Sequence, residues 1–263
     1  MIQNLGSTFQ SRLASAASIL GGMGLLTSQV FRELGRRPLN IYLVVEQIYL
    51  VGIKSLGLVL ITALSTGMVM ALQFGLGLEK FGGKLYVPKI VALSIVREMG
   101  PVFCSLMLAA RVGAGIASEI GSMTVTQQID AIRALGTSPI KRIVIPRIIA
   151  CLIALPLLCV LGNVFGILGS LAVEVWELGL DPMFALQKMF TTVVIMDLLT
   201  GLGKTVFFSL FISITACYFG LNVRGGTQGV GSATTRAVVT ASVLILIGDF
   251  FLTKLFFILF EAA

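Results

Sequence analysis

The chain is too apolar to be water-soluble, since its 263 residues are 57% hydrophobic and only 12% charged, whereas soluble domains carry about 25% charged residues. This composition excludes a soluble enzyme, a nucleic-acid-binding domain and a disordered chain, and it predicts an all-α, polytopic membrane protein. The net charge of +7 comes from Lys and Arg residues spread between apolar segments, which fits lipid headgroups better than nucleic acid.

The N-terminal segment, residues 1–37, is predicted to be an amphipathic helix that lies in the cytoplasmic interface of the membrane. Apolar residues recur at near-helical spacing from Leu5 to Leu20, and the basic residues Arg32, Arg36 and Arg37 follow, so that the basic end can bind anionic lipid. The alternative is a signal peptide, because Arg12 precedes a short apolar run.

Five later segments are long and apolar enough to cross a membrane, which takes about 20 helical residues. They are residues 55–78, 88–110, 143–173, 189–221 and 237–260. The inner segments 1–54, 111–142 and 222–236 hold eleven Lys and Arg residues, against four in the outer loops 79–89 and 174–188. The positive-inside rule therefore predicts a cytoplasmic N-terminus and a C-terminus on the outer side. Glu174, Glu177 and Asp181 are expected in the second outer loop.

Several ionisable residues fall within the predicted spans. A charge at the bilayer centre costs about 2.5 to 3.5 kcal/mol on insertion scales, so these residues are expected to have partners. Four of them are expected to form a network at one depth near the middle of their spans: Arg97, Glu98, Lys204 and Asp249. Asp197 lies seven residues before Lys204 on the same helix face, which would permit coupling. The network is either a set of ion pairs that fixes helix packing or part of a polar path that changes between states.

Small residues recur where two helices can approach each other closely. One set is Gly162, Gly166 and Gly169 in the third span, and another is Gly113 and Gly115 after the second. Tight helix packing in lipid uses such positions. The spacing leaves open whether the contact lies within one chain or between two.

We expect no catalytic, metal or cofactor site in this chain. There is no histidine, which excludes His-based triads and His-ligated metals. The four cysteines lie in apolar stretches without C-x-x-C spacing and are expected to be small buried hydrophobic residues. Lys204 and Thr205 resemble the end of a phosphate-binding loop, but Leu198 stands where its first glycine is required. The chain is therefore not expected to hydrolyse ATP.

A polar stretch between the second and third spans, residues 119–136, is called the coupling segment below. It is predicted to contain a short amphipathic helix, with Thr126 capping its start and Gly136 ending it. Its apolar residues follow helical spacing: Val125, Ile129, Ile132 and Leu135. The segment is either a solvated loop helix resting on the membrane or a coupling helix that inserts into a groove on a soluble motor protein.

Several blocks of the sequence together resemble one family of membrane proteins. The blocks are Arg97 to Val102, Ala109 to Gly113, Ala117 to Gly121, Gln127 to Ala131, Pro139, Pro146 with Arg147, Ala233 to Val239 and Asp249 to Thr253. They resemble the MlaE/YrbE permeases, the membrane subunits of lipid-transporting ABC systems, over nearly the whole chain from about residue 40 onward. Ser138 departs from the pattern, since an acidic residue is expected before the proline, and this puts one contact of the coupling segment in doubt.

The resemblance implies a homodimer of five-span subunits in the bacterial inner membrane, with residues 1–37 as an interfacial helix and residues 38–263 as a single permease domain. The partners would be a separate ABC ATPase that binds ATP and Mg²⁺, a hexameric MCE-domain protein on the outer face and a small STAS-domain protein. The substrate would be phospholipid carried between the inner and outer membranes. This chain would itself hold no cofactor.

The resemblance also implies the roles of particular residues. The ATPase-coupling residues would be Glu119, Gln127, Gln128, Asp130 and Arg133. The intramembrane charges would be the four named above. A phospholipid pocket at the outer end of the first span would be lined by Leu72, Gln73, Leu76, Leu78 and Phe81, together with the outer half of the fifth span. The leucines suit acyl chains, and Gln73 with lysines of the outer loops suits a phosphate.

Two other classes of function compete with an ABC permease. In an ion-coupled secondary transporter, the acidic residues Glu98, Asp197 and Asp249 with Lys204 would carry protons or ions, and transport would need no nucleotide. An intramembrane enzyme acting on lipid would need a nucleophile or metal cluster, which the sequence does not contain. Co-purification of a nucleotide-binding protein distinguishes the first competitor from an ABC permease.

Overall fold

The computed structural model describes the backbone of residues 2–35 and 41–261 and the side chains of residues 17–35 and 41–259. The side chains of Arg12, Arg36 and Arg37, which the prediction for the N-terminal segment used, lie outside these ranges. Within them the chain is helical and contains no β-strand, which confirms the predicted all-α class. The helices are α1 (Ile2–Leu34), α2 (Ile41–Val51), α3 (Leu56–Glu79), α4 (Val87–Ser94), α5 (Gly100–Leu108), α6 (Ala114–Val125), α7 (Gln128–Ala134), α8 (Ile145–Trp176), α9 (Pro182–Thr192), α10 (Ile195–Leu221) and α11 (Gly226–Glu261).

Among the described residues, five segments are long and apolar enough to span a membrane, as predicted. They are Ile41–Glu79, Lys84–Val125, Ile140–Trp176, Ile195–Leu221 and Gly226–Leu259, called the first to fifth spans below. The first span joins α2 to α3 through a 3-10 turn, and the second joins α4, α5 and α6 through two π-helical turns, Ile95–Met99 and Ala109–Gly113. A third π-helical turn, Ile140–Val144, begins the third span. The interfacial position predicted for α1 stays a prediction.

The spans differ from the prediction mainly at their inner ends, where "inner" denotes the predicted cytoplasmic side. The second span continues as α6 to Val125, and the fifth is already helical at Gly226, so much of the two predicted inner loops is helix. Hydropathy marks only the part of a helix that crosses hydrocarbon. The helix itself continues until the backbone stops it, here at Gln127, Gly225 and Gly226, which all have positive φ.

The predicted second outer loop also differs. It contains α9, whose first turn is capped by Asp181, since the carboxylate accepts a hydrogen bond of 2.9 Å from the Phe184 amide. The fourth span therefore begins at Ile195 rather than at residue 189. Glu174 is not in a loop but within the last turns of α8, where it is fully buried and neither carboxylate oxygen has a hydrogen-bond partner.

The core is built around α8, which packs most extensively against α3 and also against α2 and α10, while α10 packs against α6 and α11. Glycines allow the closest approach. A Cβ on Gly67 would overlap the backbone of Gly166, and a Cβ on Gly169 would overlap the backbone of Leu64. The glycines of the third span therefore form contacts within one chain, which answers the question that their spacing left open. Gly115 has no neighbour within 4 Å of a Cβ position.

The first and fifth spans leave most of their apolar surface outside the bundle. We compare an apolar 18-residue stretch of each span. In the first span 22% of this stretch is buried and in the fifth 11%, whereas in the third 67% is buried. The four cysteines, by contrast, are all buried and free, as their apolar surroundings predicted. The exposed faces of the first and fifth spans are available to lipid or to a second copy of the chain.

Candidate functional site

A buried lysine joins the second, fourth and fifth spans. Lys204 of α10 is only 2% exposed, and its Nζ lies 2.6 Å from Glu98 Oε2 and 3.1 Å from Asp249 Oδ1. The ammonium donates hydrogen bonds to Glu98 Oε2, to Thr253 Oγ1 at 2.7 Å and to the backbone oxygen of Arg97 at 3.2 Å. Asp249 Oδ1 is an ion-pair contact without a hydrogen bond. All three N–H groups of the ammonium therefore have an oxygen acceptor. These hydrogen bonds compensate for much of the free-energy cost of burying the charge.

Arg97 pairs with a residue outside the predicted four-residue network. Its guanidinium pairs with Asp197, with Nε donating to Oδ1 at 2.7 Å. Asp197 in turn accepts the backbone N–H of Val194 at 3.0 Å, which satisfies the start of α10. Asp197 and Lys204, whose spacing would permit coupling, do not pair with each other, since each pairs with a residue of the second span instead.

Arg97 and Glu98 are consecutive residues of the π-helical turn Ile95–Met99, and they bind different partners. Neighbouring residues of a helix point in different directions, so one side chain reaches Asp197 and the other reaches Lys204. We call Arg97, Glu98, Asp197, Lys204 and Asp249 the charge cluster. It contains three acids and two bases. The sequence did contain a signal for Asp197. It is an acidic residue in the first turn of a helix, where its carboxylate can accept a hydrogen bond from a backbone N–H group that has no partner within the helix.

The charge cluster lies toward the outer ends of its spans rather than at their middle. Lys204 is nine residues from Ile195 but 17 from Leu221, and Glu98 is 14 residues from Lys84 but 27 from Val125. The helices of the second and fifth spans extend farther inward than hydropathy indicated. The depth of the charge cluster relative to the centre of the bilayer therefore stays a prediction.

Two adjoining cavities open at the charge cluster, with volumes of about 330 Å³ and about 530 Å³. Glu98, Thr253 and Phe257 line both. The first is otherwise lined by Arg97, Val194, Met196, Asp197, Thr200, Lys204 and Phe256, and the second by Leu246, Asp249, Phe250, Lys254 and Ile258. Charged groups and aromatic side chains therefore face the same space. Such a lining suits an amphiphile with a polar head and an apolar body.

The residues predicted to form a lipid pocket on the first span lie apart from these two cavities. Leu72, Gln73, Leu76 and Phe81 are exposed at the outer end of α3, and Phe81 is 86% exposed. Leu78 instead packs against a small buried cluster that includes Val87 and Leu178. Among the described residues of one chain, none of these five lines either cavity.

The coupling segment forms a short helix next to the end of the second span. Gln127 adopts a left-handed conformation with φ 59°, which turns the chain from α6 into α7. Gly136, with φ +73°, follows the end of α7 as predicted. Thr126 does not cap α7; its hydroxyl donates to the Ser122 oxygen at 2.9 Å and so closes α6.

The exposed face of α7 is both charged and apolar. Gln127, Gln128, Asp130 and Arg133 are all exposed, and the last two form an ion pair of 3.1 Å. The predicted apolar stripe is divided, since Ile129 is buried while Leu135 is 79% exposed. Leu135 therefore places an exposed apolar side chain beside charged residues at the inner end of the bundle.

Glu119 lies on α6 and has a partner inside the bundle. Its Oε2 is 2.9 Å from Nη2 of Arg147, whose side chain is only 6% exposed. Nε and Nη1 of Arg147 have no hydrogen-bond partner. The pair connects the inner end of the second span to the start of α8, a role that the sequence did not indicate for Arg147.

Comparison with known proteins identifies the family. The model of the MlaE permease family matches residues 44–255. The chain belongs to the MlaE permease family. A probable ABC transporter permease protein of Rickettsia conorii is 38% identical over 257 residues, covering 98% of this chain and 99% of that protein. The intermembrane phospholipid transport system permease protein MlaE of Haemophilus influenzae is 32% identical over 255 residues, covering 91% of this chain and 98% of that protein. A probable ABC transporter permease protein of Synechocystis is 37% identical over 232 residues, 88% of each chain.

In this member of the MlaE permease family, the blocks of sequence that carried the resemblance fall on the features described above. The blocks beginning at Arg97 and Asp249 contain residues of the charge cluster, and those beginning at Ala117 and Gln127 contain parts of the coupling segment. The block Ala109–Gly113 is itself a π-helical turn. Such turns in α-helices occur frequently at functional sites.

Proposed function

We propose that this chain is the inner-membrane permease subunit of an ABC transporter that moves phospholipid between the inner and outer membranes. The observation that carries the proposal is the pair of cavities at the charge cluster, which combine cations, carboxylates and aromatic side chains near the outer ends of the spans. The name of the Haemophilus influenzae relative, an intermembrane phospholipid transport permease, supports the same substrate. The N-terminus is cytoplasmic and the C-terminus periplasmic in this proposal.

Within the cavities, the two basic residues have different roles. The side chain of Arg97 is 47% exposed, whereas that of Lys204 is 2% exposed. Arg97 is therefore the cation that binds the lipid phosphate, while Lys204 holds the three spans together. The aromatic side chains Phe256 and Phe257 accommodate the acyl chains.

The remaining wall of the pocket comes from a homodimer. The outward apolar faces of the first and fifth spans, and the exposed residues Leu72, Gln73, Leu76 and Phe81, provide the surface on which a second copy packs and closes the pocket. This arrangement explains why these residues are exposed in one chain although the family resemblance assigns them to the lipid pocket.

The energy comes from a separate ABC ATPase, which binds ATP and Mg²⁺; this chain is not an enzyme and holds no cofactor. The ATPase docks on the exposed face of α7, with Leu135 inserted and the charges of Asp130 and Arg133 around it. Glu119 transmits the movement to α8 through Arg147. An MCE-domain protein on the outer face and a STAS-domain protein on the ATPase complete the assembly.

The experiment is ATP-dependent movement of a fluorescent phospholipid in proteoliposomes that contain this chain with its co-purified partners. Replacing Leu135 by Asp is expected to abolish both co-purification of the ATPase and lipid movement, because α7 loses its apolar contact. The matched control, Trp176→Asp at the outer end of α8, where the side chain is 83% exposed, should retain the ATPase. The proposal fails if no nucleotide-binding protein co-purifies.

The ionisable residues within the spans favour one alternative, an ion-coupled secondary transporter. An ion gradient would then move lipid without nucleotide, and Leu135→Asp would have no effect. Testing the same proteoliposomes with a proton or sodium gradient in place of ATP distinguishes the two functions.

A further inference from the structure

A third cavity, remote from the charge cluster, lies between α1, α8 and α10 in the inner half of the bundle. Its volume is about 250 Å³, and its lining is apolar. Val30 and Phe31 of α1 form one wall, and Ile149 and Leu210 contribute to the others. Thr27 also lines it, but its hydroxyl donates to the Met23 oxygen at 2.8 Å and so leaves no free donor.

Hydrocarbon fits this cavity better than water does. A buried water needs two to four polar partners, and apolar cavities of about 150 Å³ in soluble proteins stay dry and bind apolar molecules. The predicted interfacial position of α1 makes lipid the hydrocarbon available to this cavity, and Leu25 of α1 is 69% exposed. The cavity is partly open rather than enclosed, so a lipid chain can enter it.

Two basic residues lie just before the part of α8 that lines this cavity, although neither is itself a lining residue. Lys141 and Arg142 occupy the π-helical turn that precedes Ile145, the first residue of α8 to line the cavity. Lys141 lies one helical turn before Ile145. Among the residues whose side chains the structure describes, neither Lys141 nor Arg142 has an ion-pair partner. Unpaired basic residues at the cytoplasmic end of a groove between membrane helices are typical of sites for anionic lipid headgroups.

We propose that this cavity binds one acyl chain of an anionic phospholipid of the cytoplasmic leaflet, with the phosphate held by Lys141 and Arg142. The lipid fills the space between α1 and α8 and so attaches the N-terminal helix to the bundle. It is a resident lipid, distinct from any that is transported, and the proposal does not depend on the transport function.

The test is photo-crosslinking in nanodiscs with the full chain. The probes are phosphatidylglycerol and phosphatidylcholine that carry the same diazirine on one acyl chain, and the labelled peptides are located by mass spectrometry. We expect phosphatidylglycerol to label residues 27–34 or 145–152 more strongly than phosphatidylcholine. Because one basic residue near an anionic surface contributes about fivefold in affinity, Lys141→Gln should lower this labelling about fivefold at limiting probe. Arg224→Gln, in the exposed turn before α11, is the control and should leave it unchanged.

A second variant tests the cavity itself. Ile149→Phe fills part of the space and should reduce labelling by both probes, whereas Ile153→Phe, one turn farther along α8 on an exposed position, should not. Equal labelling by the two probes would overturn the role of Lys141 and Arg142. Labelling that is unchanged in Ile149→Phe, or that is absent from these peptides, would overturn the site. Lys141 lies near the surface, so Lys141→Gln provides a test even if Ile149→Phe fails to fold.

Discussion

Replacing Lys204 by Met should strongly destabilise the bundle, because it leaves Glu98 and Asp249 as two carboxylates without their shared cation. Removing one partner of a buried ion pair costs about 3 to 5 kcal/mol. Glu98 and Asp249 retain 34% and 22% exposure of their side chains, so some solvation remains and the lower end, about 3 kcal/mol, is expected. At about 2 to 4 °C per kcal/mol for domains of comparable size, the unfolding midpoint should fall by at least about 6 °C.

A neutral cluster should recover most of this loss. In the triple variant Lys204→Met, Glu98→Gln and Asp249→Asn, no uncompensated charge is left, and replacing a whole buried ion network by neutral groups is often close to neutral in stability. The assay is thermal unfolding of the purified protein in detergent, followed by the loss of the monodisperse size-exclusion peak. Lys89→Met, at an exposed position of α4, is the matched control.

Two results would refute this reasoning. If Lys204→Met lowers the midpoint no more than Lys89→Met does, the lysine does not hold the three spans together. If the triple variant is as unstable as the single one, the loss comes from packing around the lysine stem and not from unpaired carboxylates.

Four further substitutions give results that the structure predicts in direction and rough size. Gly67→Ala should destabilise the protein by about 1 to 3 kcal/mol, because its Cβ would overlap the backbone of Gly166. Glu174→Met should instead stabilise it by about 1 to 3 kcal/mol, the cost of a buried polar group without a partner. Glu119→Gln should cost about 3 kcal/mol because it leaves the buried Arg147 unpaired, whereas Arg147→Met should cost less, since the remaining carboxylate is 57% exposed and water can solvate it. Thermal unfolding in detergent measures all of them.

Each of these substitutions has a control or a contrary outcome of its own. Gly115→Ala adds a Cβ in open space and should change the midpoint little, so equal losses at Gly67 and Gly115 would contradict the packing argument. Glu177→Met, at an exposed position, should change the unfolding midpoint much less than Glu174→Met does. If Arg147→Met lowers the unfolding midpoint more than Glu119→Gln does, the argument about the Glu119–Arg147 pair is contradicted.

The sequence alone was sufficient to predict the helical class, the number of spans and the residues that carry charge within them. Hydropathy is a local property, because a helix must satisfy its own backbone hydrogen bonds in lipid and needs about 20 apolar residues to cross it. The end of α7 was also predictable, since Gly136 favours the positive φ that it adopts. Asp197 could have been included in the charge cluster from its position at the start of an apolar segment.

The tertiary structure decided which charges pair and which surfaces are covered. Arg97 and Glu98 are adjacent in the sequence, yet they bind Asp197 and Lys204 because the rotation and register of α10 against the second span determine what each side chain can reach. Glu174 looks like a loop residue by composition but is buried by the helices packed around it. Composition and spacing depend on neighbours along the chain, whereas pairing and burial depend on neighbours in space, and only the packed bundle supplies those.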